Sequence, residues 1–502
     1  MKKYFNQISL VCILFFGVGT EKSLGQYVSN SSKPLHLGIG YDMEHIIGSD
    51  NSGVYVIKMK NLSGRPTEYI EKYAFPDYTL VWSHELDYDL AAALKNGKHM
   101  YDRCLFIKGQ IVVIAATYNR NRERIQIGSQ VIHADGKAEE AKVISEVEYP
   151  KYVDYDVFAH GYLSPDSTYL AVSHTFTPKT AALRKKRQDA LMIVINLKEL
   201  KEAYSVKLMT EYSGNPVITY GYEVDNKANL IYSMDVITDL KLMLGEKALC
   251  FLKKGTTVPA VKKIEMMKDY EYSPAASILN SDGTYMVAGF FANEQSGKGL
   301  KVGIYYYLYN SDKNEFTFSG KSFLTKEVIS KLYLANGIMV AGHAYALKCL
   351  ESKRIVKMKN DFYFVGANAG DTFVDMDLIV TKITSDGKME WMRTLPNRDG
   401  MSDLILYTND VDKLLFMYGA NNGNFKHQTV DHYTTLEGHP KEFGYLIPVA
   451  ITLTSAGVVS GDYVKADEAI TTSRSSIRLS PSKILIAPMC GKEHRFMEVD
   501  YK

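Results

Sequence analysis

Apolar and polar residues alternate along this chain in pairs of short runs, each pair joined by a polar or glycine-containing turn. Such alternation predicts strands with one face buried, and the turns predict antiparallel hairpins. Seven of these hairpins are spread over the chain: Val54–Tyr73, Arg124–Ser145, Ala190–Met209, Lys247–Met266, Val302–Ser319, Asp377–Leu395 and Gly444–Val464. The pattern therefore predicts an all-β protein built from a repeated sheet.

A second strand–turn–strand unit lies between the hairpins. Its turns contain Asp, Asn, Gly or Pro, and its second strand is apolar on both faces, as a strand between two packed sheets must be. The copies are Cys104–Thr117, Gly161–Ser173, Tyr222–Ser233, Ala276–Gly289, Ile355–Gly366, Leu404–Tyr418 and Ile477–Ala487. One inner unit and one outer hairpin make a four-stranded blade, so the count predicts a seven-bladed β-propeller.

The order of the units predicts how the ring closes. An outer hairpin comes first and an inner unit comes last, so the chain ends should complete one shared blade. We therefore expect Ile477–Ala487 and Phe496–Val499 to lie in the same sheet as Val54–Met59. Pairing of N- and C-terminal strands would remove the open edges of the ring.

Three insertions interrupt the repeat. Ser83–His99 places Leu86, Leu90, Ala93 and Leu94 at helical spacing and predicts a short amphipathic helix. Gly320–Ser352 lacks β alternation, and Thr325–Leu334 within it could be a second short helix capped by Thr325. Ala420–Phe443 is polar and predicts a long loop, the kind of segment that often carries binding on a rigid scaffold.

The N-terminus has the features of a secretory signal peptide. Two lysines follow Met1, Ile8–Val18 is almost entirely apolar, and small residues precede Gln26. The apolar run is too short to span a bilayer as a helix, and its alternative is a buried strand. We therefore expect residues 1–25 to be removed and 26–502 to form a single propeller domain that is exported to the periplasm, the cell surface or the medium.

Charge and cysteine content exclude some partners and leave others open. The chain has a net charge of +2, all of it carried by the expected leader, so the mature protein is neutral and should not recruit nucleic acid. The basic run at 184–187 is expected to be a solvated loop. Cys104, Cys250, Cys349 and Cys490 would remain after export, with three disulfide connectivities open, although their apolar surroundings favour buried free thiols.

Two stretches resemble known propellers. Residues 377–391, which run from an Asp through an apolar strand and an Asp-Gly turn to Trp391, resemble the repeat of secreted β-propeller proteins of the Bacteroidetes type. The turn Ser164–Tyr169 is similar to hairpins of WD40-like and TolB-like propellers. Both resemblances imply the fold, and neither implies an activity.

Candidate metal ligands are few. The polar loop contains three imidazoles and one carboxylate that could bind a transition metal: His427, Asp431, His432 and His439. Alternating carboxylates at Asp371, Asp375 and Asp377 could bind Ca²⁺, or could equally be the solvated side of a strand. Neither pattern has the fixed spacing of an established metal motif, so no cofactor is predicted.

Tyrosines and neighbouring acids are the remaining candidates for function. The chain has 36 Tyr and 2 Trp, and clusters include Tyr305–Tyr307 with Tyr309, and Tyr149, Tyr152 and Tyr155. Such clusters suit sugars or peptides, or simply the packing of strands. The second cluster is flanked by Glu146, Glu148, Asp154 and Asp156, which could supply the acid pair of a glycosidase.

No common catalytic motif is present, because the sequence lacks G-x-S-x-G, H-E-x-x-H, a P-loop and C-x-x-C. We therefore predict a monomeric, non-enzymatic propeller that binds a protein, peptide or glycan through loops on one face. The alternative is a carbohydrate-active hydrolase or lyase that uses acidic residues at the central channel.

Overall fold

A computed structural model gives the architecture of the protein. It describes residues 29–33, 35, 41–60, 67–91, 94–95, 97–119, 123–148, 155–178, 189–239, 244–265, 270–293, 299–329, 347–368, 378–395, 404–409, 411–421, 446–463, 470–471, 476–487, 489–490 and 493–501. Antiparallel strands dominate this part of the chain, and helix is limited there to residues 326–329 and 347–348.

Eight consecutive sheets, here blades 1 to 8, follow one another along the chain. In blade 1 the strands are β2 (Tyr41–Asp50), β3 (Gly53–Lys60), β4 (Thr67–Ala74) and β5 (Thr79–Glu85), while β1 (Ser29–Ser31) belongs to blade 8. Blade 2 contains β6 (Lys98–Ile107), β7 (Gln110–Asn119), β8 (Arg124–Ile132) and β9 (Lys142–Glu148). Blade 3 contains β10 (Tyr155–Leu163), β11 (Tyr169–Pro178), β12 (Asp189–Asn196) and β13 (Lys201–Lys207).

Blades 4 and 5 each carry an additional short strand. Blade 4 contains β14 (Glu211–Tyr212), β15 (Asn215–Val224), β16 (Leu230–Asp239), β17 (Leu244–Leu252) and β18 (Ala260–Lys263). Blade 5 contains β19 (Tyr270–Tyr272), β20 (Ala276–Leu279), β21 (Thr284–Asn293), β22 (Lys301–Asn310) and β23 (Glu315–Phe323).

The last three blades lead back to the N-terminus. Blade 6 contains β24 (Leu350–Met358), β25 (Asp361–Asn368), β26 (Leu378–Ile383) and β27 (Met389–Leu395), and blade 7 contains β28 (Ile405–Thr408), β29 (Lys413–Asn421), β30 (Leu446–Thr454) and β31 (Val459–Tyr463). A small sheet contains β32 (Ile470–Thr471), β35 (Met489–Cys490) and β36 (Glu493–His494). Blade 8 contains β33 (Ser476–Ser480), β34 (Lys483–Ile486), β37 (Met497–Asp500) and β1.

One strand of each blade lies innermost and lines the centre of a ring. These inner strands touch their neighbours in sequence, from β33 to β2, β6, β10, β15, β20, β24 and β28. The contact between β28 and β33 includes the hydroxyl of Tyr407, which donates to the carbonyl of Ser476 at 3.0 Å. The arrangement is therefore a β-propeller with its inner strands around a central channel.

The propeller has eight blades, so the prediction of seven is wrong. Val54–Tyr73 is the middle pair of blade 1, which is completed by its own inner strand β2 and outer strand β5. The alternation of β2 was hidden because its register against β3 shifts twice, between Met43 and His45 and between Ile46 and Gly48. Each β-bulge reverses which residues face the core, so the sequence of β2 does not read as a strand.

The chain ends do meet, but through a different N-terminal strand from the one predicted. Ser29, Asn30 and Ser31 pair with Val499, Glu498 and Met497, whereas Val54–Met59 lies in blade 1. The two C-terminal segments do lie in one sheet, since β34 pairs with β37. Blade 8 is thus assembled from both ends of the sequence.

Charged contacts join blade 8 to blade 1. The Tyr78 hydroxyl donates to Glu498 at 2.8 Å, and the ammonium group of Lys483 lies 2.7 Å from the same carboxylate. Burial by itself would raise the pKa of Glu498, but the hydrogen bonds from Lys483 and Tyr78 outweigh it and lower the pKa. On the same seam, His494 lies 2.8 Å from Asp42.

Adjacent blades pack through apolar side chains from their middle strands, which are almost completely buried. Two equivalent tryptophans extend this packing outward. The indole of Trp82 in blade 1 donates to Ala134 of blade 2 at 3.0 Å, and that of Trp391 in blade 6 donates to Ser455 of blade 7 at 3.2 Å. Trp391, at the end of the repeat-like motif, therefore connects blade 6 to a turn of blade 7 by a hydrogen bond.

The predicted helix over Ser83–His99 is wrong. Residues up to Glu85 belong to β5, and the residues described after it form turns. The apolar spacing instead places Leu86, Leu90 and Leu94 in the core between blades 1 and 2, where Leu94 is fully buried. The regular spacing of these leucines therefore indicated that they are buried, but not that the segment is a helix.

The helix predicted at Thr325–Leu334 is represented by one turn at 326–329, beyond which the segment lies outside the described residues. Its predicted cap is present, because the Thr325 hydroxyl accepts from the amide of Val328 at 3.2 Å. Most of the predicted loop Ala420–Phe443 also lies outside the described residues.

Candidate ligand-binding site in the central channel

A cavity of about 780 Å³ opens between the inner strands of blades 1, 2 and 3. Polar side chains on its wall include His45 from β2, Asp102 and Arg103 from β6, and His160 from β10. All four of these residues are exposed. The volume and mixed lining are those of a small-molecule or oligosaccharide pocket.

A β-bulge places the polar residues of β6. The register of β6 against β7 shifts between His99 and Tyr101, so the residues after the bulge are re-aimed relative to those before it. Asp102 is then held by His99, whose Nε2 lies 2.6 Å from the carboxylate. Asp102 remains 42 % exposed, so its second oxygen can still reach a ligand.

A second carboxylate, Glu68, lies deeper in the cavity. The Tyr88 hydroxyl donates to Glu68 at 2.5 Å, and the Cys104 sulfur is 4.0 Å from the same hydroxyl. Burial, together with the neighbouring Cys104 and Glu68, raises the pKa of Tyr88 far above its ordinary value. Burial likewise raises the pKa of Cys104 to about 12, so both groups stay protonated at neutral pH and neither is a nucleophile.

Tyr101 and Arg103 form the wall shared with blade 3. The Arg103 guanidinium donates to the Gly161 carbonyl at 3.4 Å, and the Tyr101 ring lies so close to Gly161 that a Cβ there would collide with its hydroxyl. The Tyr101 hydroxyl is buried beside the Arg103 guanidinium and donates to no acceptor among the described residues. Burial raises the pKa of Tyr101, although Arg103 opposes it, so the phenol can donate to a ligand.

One acidic group next to the cavity is poised to titrate near neutrality. Glu223 on β15 is half-buried and accepts a hydrogen bond from the Ser277 hydroxyl of blade 5 at 3.2 Å. Burial raises the pKa of Glu223 to about 7, with the Ser277 hydrogen bond acting in the opposite direction. Tyr162 lines the cavity, and the Glu223 carboxylate is close enough to it to contribute, after burial, to the raised pKa of Tyr162.

The predicted metal ligands His427, Asp431, His432 and His439 all lie outside the described residues, as do Asp371, Asp375 and Asp377. Within the described residues, no group of three or more His, Cys, Asp or Glu side chains has the geometry of a metal site. The basic run at 184–187 also lies outside the described residues.

The glycosidase acid pair suggested around Glu146 is not at the channel. Glu146 and Glu148 lie on the outer strand β9, where both bind Arg124. Tyr149, Tyr152 and Asp154 lie outside the described residues, and of Tyr155 and Asp156 only the backbone is described. The correction follows from strand order, since the outer strand of a blade faces away from the channel.

The other predictions about side chains fared better. Tyr305, Tyr306, Tyr307 and Tyr309 are all buried, which confirms their interpretation as packing residues. Cys104 and Cys250 are buried free thiols, as predicted. Cys349 is half-buried, and the side chain of Cys490 lies outside the description.

Sequence reasoning did not select any of the exposed residues on the cavity wall. His45, Asp102 and His160 are each isolated in sequence and come together because inner strands about 60 residues apart become neighbours. A usable signal was present in β6, where adjacent opposite charges, Asp102-Arg103, precede the apolar run of an inner strand. Charged residues on a strand that must line the channel are candidates for binding.

No family model matches the chain, and no curated protein is similar to it. Solved structures with a similar course of the chain include the β-propeller domain of the Trilobed protease from Pyrococcus furiosus, at 9 % identity and a TM-score of 0.38, covering 86 % of this chain and 97 % of that one. The polysaccharide lyase Uly1 has 8 % identity and a TM-score of 0.40, covering 92 % and 100 %. The Hadza microbial sialidase Hz136 has 10 % identity and a TM-score of 0.32, covering 74 % and 71 %. At these values the matches give no information about activity.

Proposed function

We propose that this propeller binds a saccharide in the cavity between blades 1, 2 and 3, and that it does so without catalysing a reaction. The observation that carries the proposal is the convergence of His45, Asp102, Arg103 and His160 on one cavity of about 780 Å³. A carboxylate and a guanidinium on the wall of one cavity suit the hydroxyl groups of a sugar, because the carboxylate accepts hydrogen bonds and the guanidinium donates them.

Tyrosine rings support a saccharide over a wholly polar ligand. Tyr101 and Tyr88 border the same cavity and present apolar ring area together with a hydroxyl. A sugar has apolar C–H faces and a polar rim, so it can use both kinds of surface at once. The buried hydroxyl of Tyr101 donates to no acceptor in the described structure, and a bound sugar could accept this hydrogen bond.

Calorimetric titration with a panel of oligosaccharides tests the proposal. We expect Asp102→Asn to weaken binding of any saccharide hit at least tenfold, because a hydrogen bond to a charged group is worth about 1.5–3 kcal/mol. Asp77→Asn, on an exposed turn outside the channel, is the matched control and should bind normally. Equal affinities of the wild type and Asp102→Asn would place the ligand elsewhere.

A carbohydrate-active hydrolase is the second candidate, because Glu68 and Asp102 line the same cavity. Acid–base hydrolysis of a glycoside uses two carboxyl groups, one of them protonated. Binding is preferred since each carboxylate already has a hydrogen-bond partner, Tyr88 or His99. Product analysis of the titrated oligosaccharides separates the two: turnover that is abolished in Glu68→Gln would establish the enzyme.

Export of the protein as a monomer is also a proposal. It rests on the leader-like residues 1–25 and on the neutral remainder of the chain. In the described residues no helix is long and apolar enough to cross a membrane. Mass spectrometry of protein from its native cell should give an N-terminus at or near Gln26, and an intact Met1 would contradict export. Light scattering of the same sample should give the mass of a single chain, and a larger species would contradict the monomer.

A further inference from the structure

A phenylalanine on the cavity strand of blade 3 is exposed. Phe158 lies on β10, two residues before His160, and is 53 % exposed. Other large apolar side chains in the described part of the chain are exposed too, but Phe158 is the only one of them on β2, β6 or β10, the inner strands that line the cavity. Its own side chain does not belong to the cavity wall.

The alternation of β10 explains why this ring is exposed. β10 pairs with β11 in an unbroken register from Tyr155 to Leu163, so successive side chains point to opposite faces of the strand. Ala159 is buried and packs in the core between blades 2 and 3. Phe158 and His160 therefore both point away from that core.

Phe158, His160 and Tyr162 form one row on this face of the strand. His160 and Tyr162 line the cavity, and alternate residues of a strand are about 7 Å apart. Phe158 thus extends the cavity wall by one position toward the beginning of β10. A ligand that occupies the cavity at His160 and continues along the strand contacts the Phe158 ring next.

A second phenylalanine with the same exposure has different surroundings. Phe323, on the outer strand β23, is also 53 % exposed, and its ring centroid lies 5.4 Å from that of Phe291 and 6.3 Å from that of Tyr270. Within the described residues no aromatic ring packs in this way against Phe158, so more than half of its surface is available to a ligand. Single exposed apolar residues are common on protein surfaces, and it is the position beside a polar cavity that distinguishes Phe158.

We propose that Phe158 is the platform of a second sugar subsite, so that the protein binds a chain of at least two sugars of the glucose type rather than a single sugar. This inference rests on the proposed function, because the cavity must hold the first sugar. A pyranose whose substituents are all equatorial has its hydroxyl groups at the rim and C–H groups on both faces. Such a face packs on an aromatic ring, which is apolar and carries negative charge density on its own face.

Titration calorimetry with glucose and cellotetraose tests the subsite. The proteins are the wild type, Phe158→Ala, Asp102→Asn and the control Phe323→Ala, which removes an equally exposed ring from an outer strand. We expect the wild type and Phe323→Ala to bind cellotetraose at least tenfold more tightly than glucose. Phe158→Ala should bind cellotetraose about tenfold more weakly than the wild type, which corresponds to about 1.4 kcal/mol, and should bind glucose normally. Normal binding of glucose also shows that this variant is folded.

A tryptophan at the same position reports stacking directly. Phe158→Trp keeps an aromatic platform, so it should retain the affinity for cellotetraose, and its fluorescence should change when the sugar covers the indole. The natural tryptophans Trp82 and Trp391 both donate hydrogen bonds to a neighbouring blade, and their emission is measured in the wild type and subtracted. Glucose, which occupies only the cavity, should leave the remaining emission unchanged.

The outcomes separate the two proposals. If Phe158→Ala binds cellotetraose as the wild type does while Asp102→Asn binds it more weakly, the sugar is in the cavity and the Phe158 subsite is overturned. Equal affinities of the wild type for glucose and cellotetraose, or an unchanged emission of Phe158→Trp at saturating cellotetraose, would overturn it as well. If the wild type binds neither sugar, this inference is overturned, and the proposed function then depends on the other saccharides of the panel.

Discussion

Removal of the closing strand β1 should open the ring. We compare a chain that begins at Ser29 with one that begins directly after Leu35. The shorter chain loses the pairing of Ser29–Ser31 with β37, the bond from the Ser32 amide to Phe496 at 2.8 Å and the bond from the Leu35 amide to His494 at 2.8 Å. It also loses the Ser32 hydroxyl that accepts from the Phe496 amide at 3.0 Å.

The expected loss of folding free energy follows from these contacts. The three hydrogen bonds of Ser32 and Leu35 contribute about 1 kcal/mol each, and because the β1–β37 ladder is not counted the total is a lower bound. Burial of Leu35, which is 9 % exposed, contributes about 2 kcal/mol. The loss of about 5 kcal/mol is large against the usual 5–15 kcal/mol of stability. An unfolding entropy of about 2 cal/mol/K per residue gives a chain of 502 residues roughly 1 kcal/mol/K, so the melting temperature should fall by about 5 °C.

Scanning calorimetry and light scattering measure the result. The chain that begins at Ser29 should melt as the full-length protein does and stay monomeric. The chain without β1 should melt lower and form dimers or larger species, because the edge of β37 would be left unpaired. If both chains melt within 1 °C of each other and both are monomeric, the closing strand does not stabilise the ring and the argument is refuted.

Four further substitutions test the packing and the charges. Leu94→Ala should cost about 2–5 kcal/mol in urea unfolding, since Leu94 is fully buried between blades 1 and 2, and a cost below 1 kcal/mol would contradict that packing. Gly161→Ala should destabilise the protein by about 1–3 kcal/mol, and a second change, Tyr101→Ala, should relieve the collision, so an unrelieved double variant would refute it. Glu498→Gln should cost about 1–2 kcal/mol at neutral pH; because the pKa of Glu498 is lowered in the folded state, the wild-type advantage should disappear as the pH falls below the ordinary carboxyl pKa, and an advantage that persists there would exclude this cause. Glu223 has a raised pKa of about 7, so wild-type stability should decline by about 1–3 kcal/mol as the pH rises from about 4.5 through 7, a decline that Glu223→Gln should lack.

Local pattern predicted most of the strands because each outer hairpin is contiguous in sequence. The two strands of Val302–Ser319, for example, are β22 and β23. In β23 exposed and half-buried positions alternate as the sequence pattern requires, whereas β22 is buried along most of its length. The predicted number of blades was wrong because some strands do not show this alternation in their sequence. Two bulges disturb β2, and β1 has the sequence Ser-Asn-Ser, with no apolar residue to mark it as a strand.

The candidate site could not be predicted from the sequence, for a different reason. Asp102 and His160 belong to different blades, and only the closed ring makes β6 and β10 neighbours. A single sequence contains the residues but not the angle between successive sheets.

The seam of blade 8 sets an order of events during synthesis. The Ser32 hydroxyl and the Phe496 amide that it binds are 464 residues apart. The strand that is synthesised first therefore cannot pair until the strand that is synthesised last is available. Blades 1 to 7 draw their strands from local stretches and can form as they emerge, because local contacts have a low entropic cost of closure. Blade 8 can be finished only after the final residues are released. Until that moment the growing ring carries the unpaired edge of β1 at one end, and cells that make this protein must keep that edge from other chains for the whole time of translation.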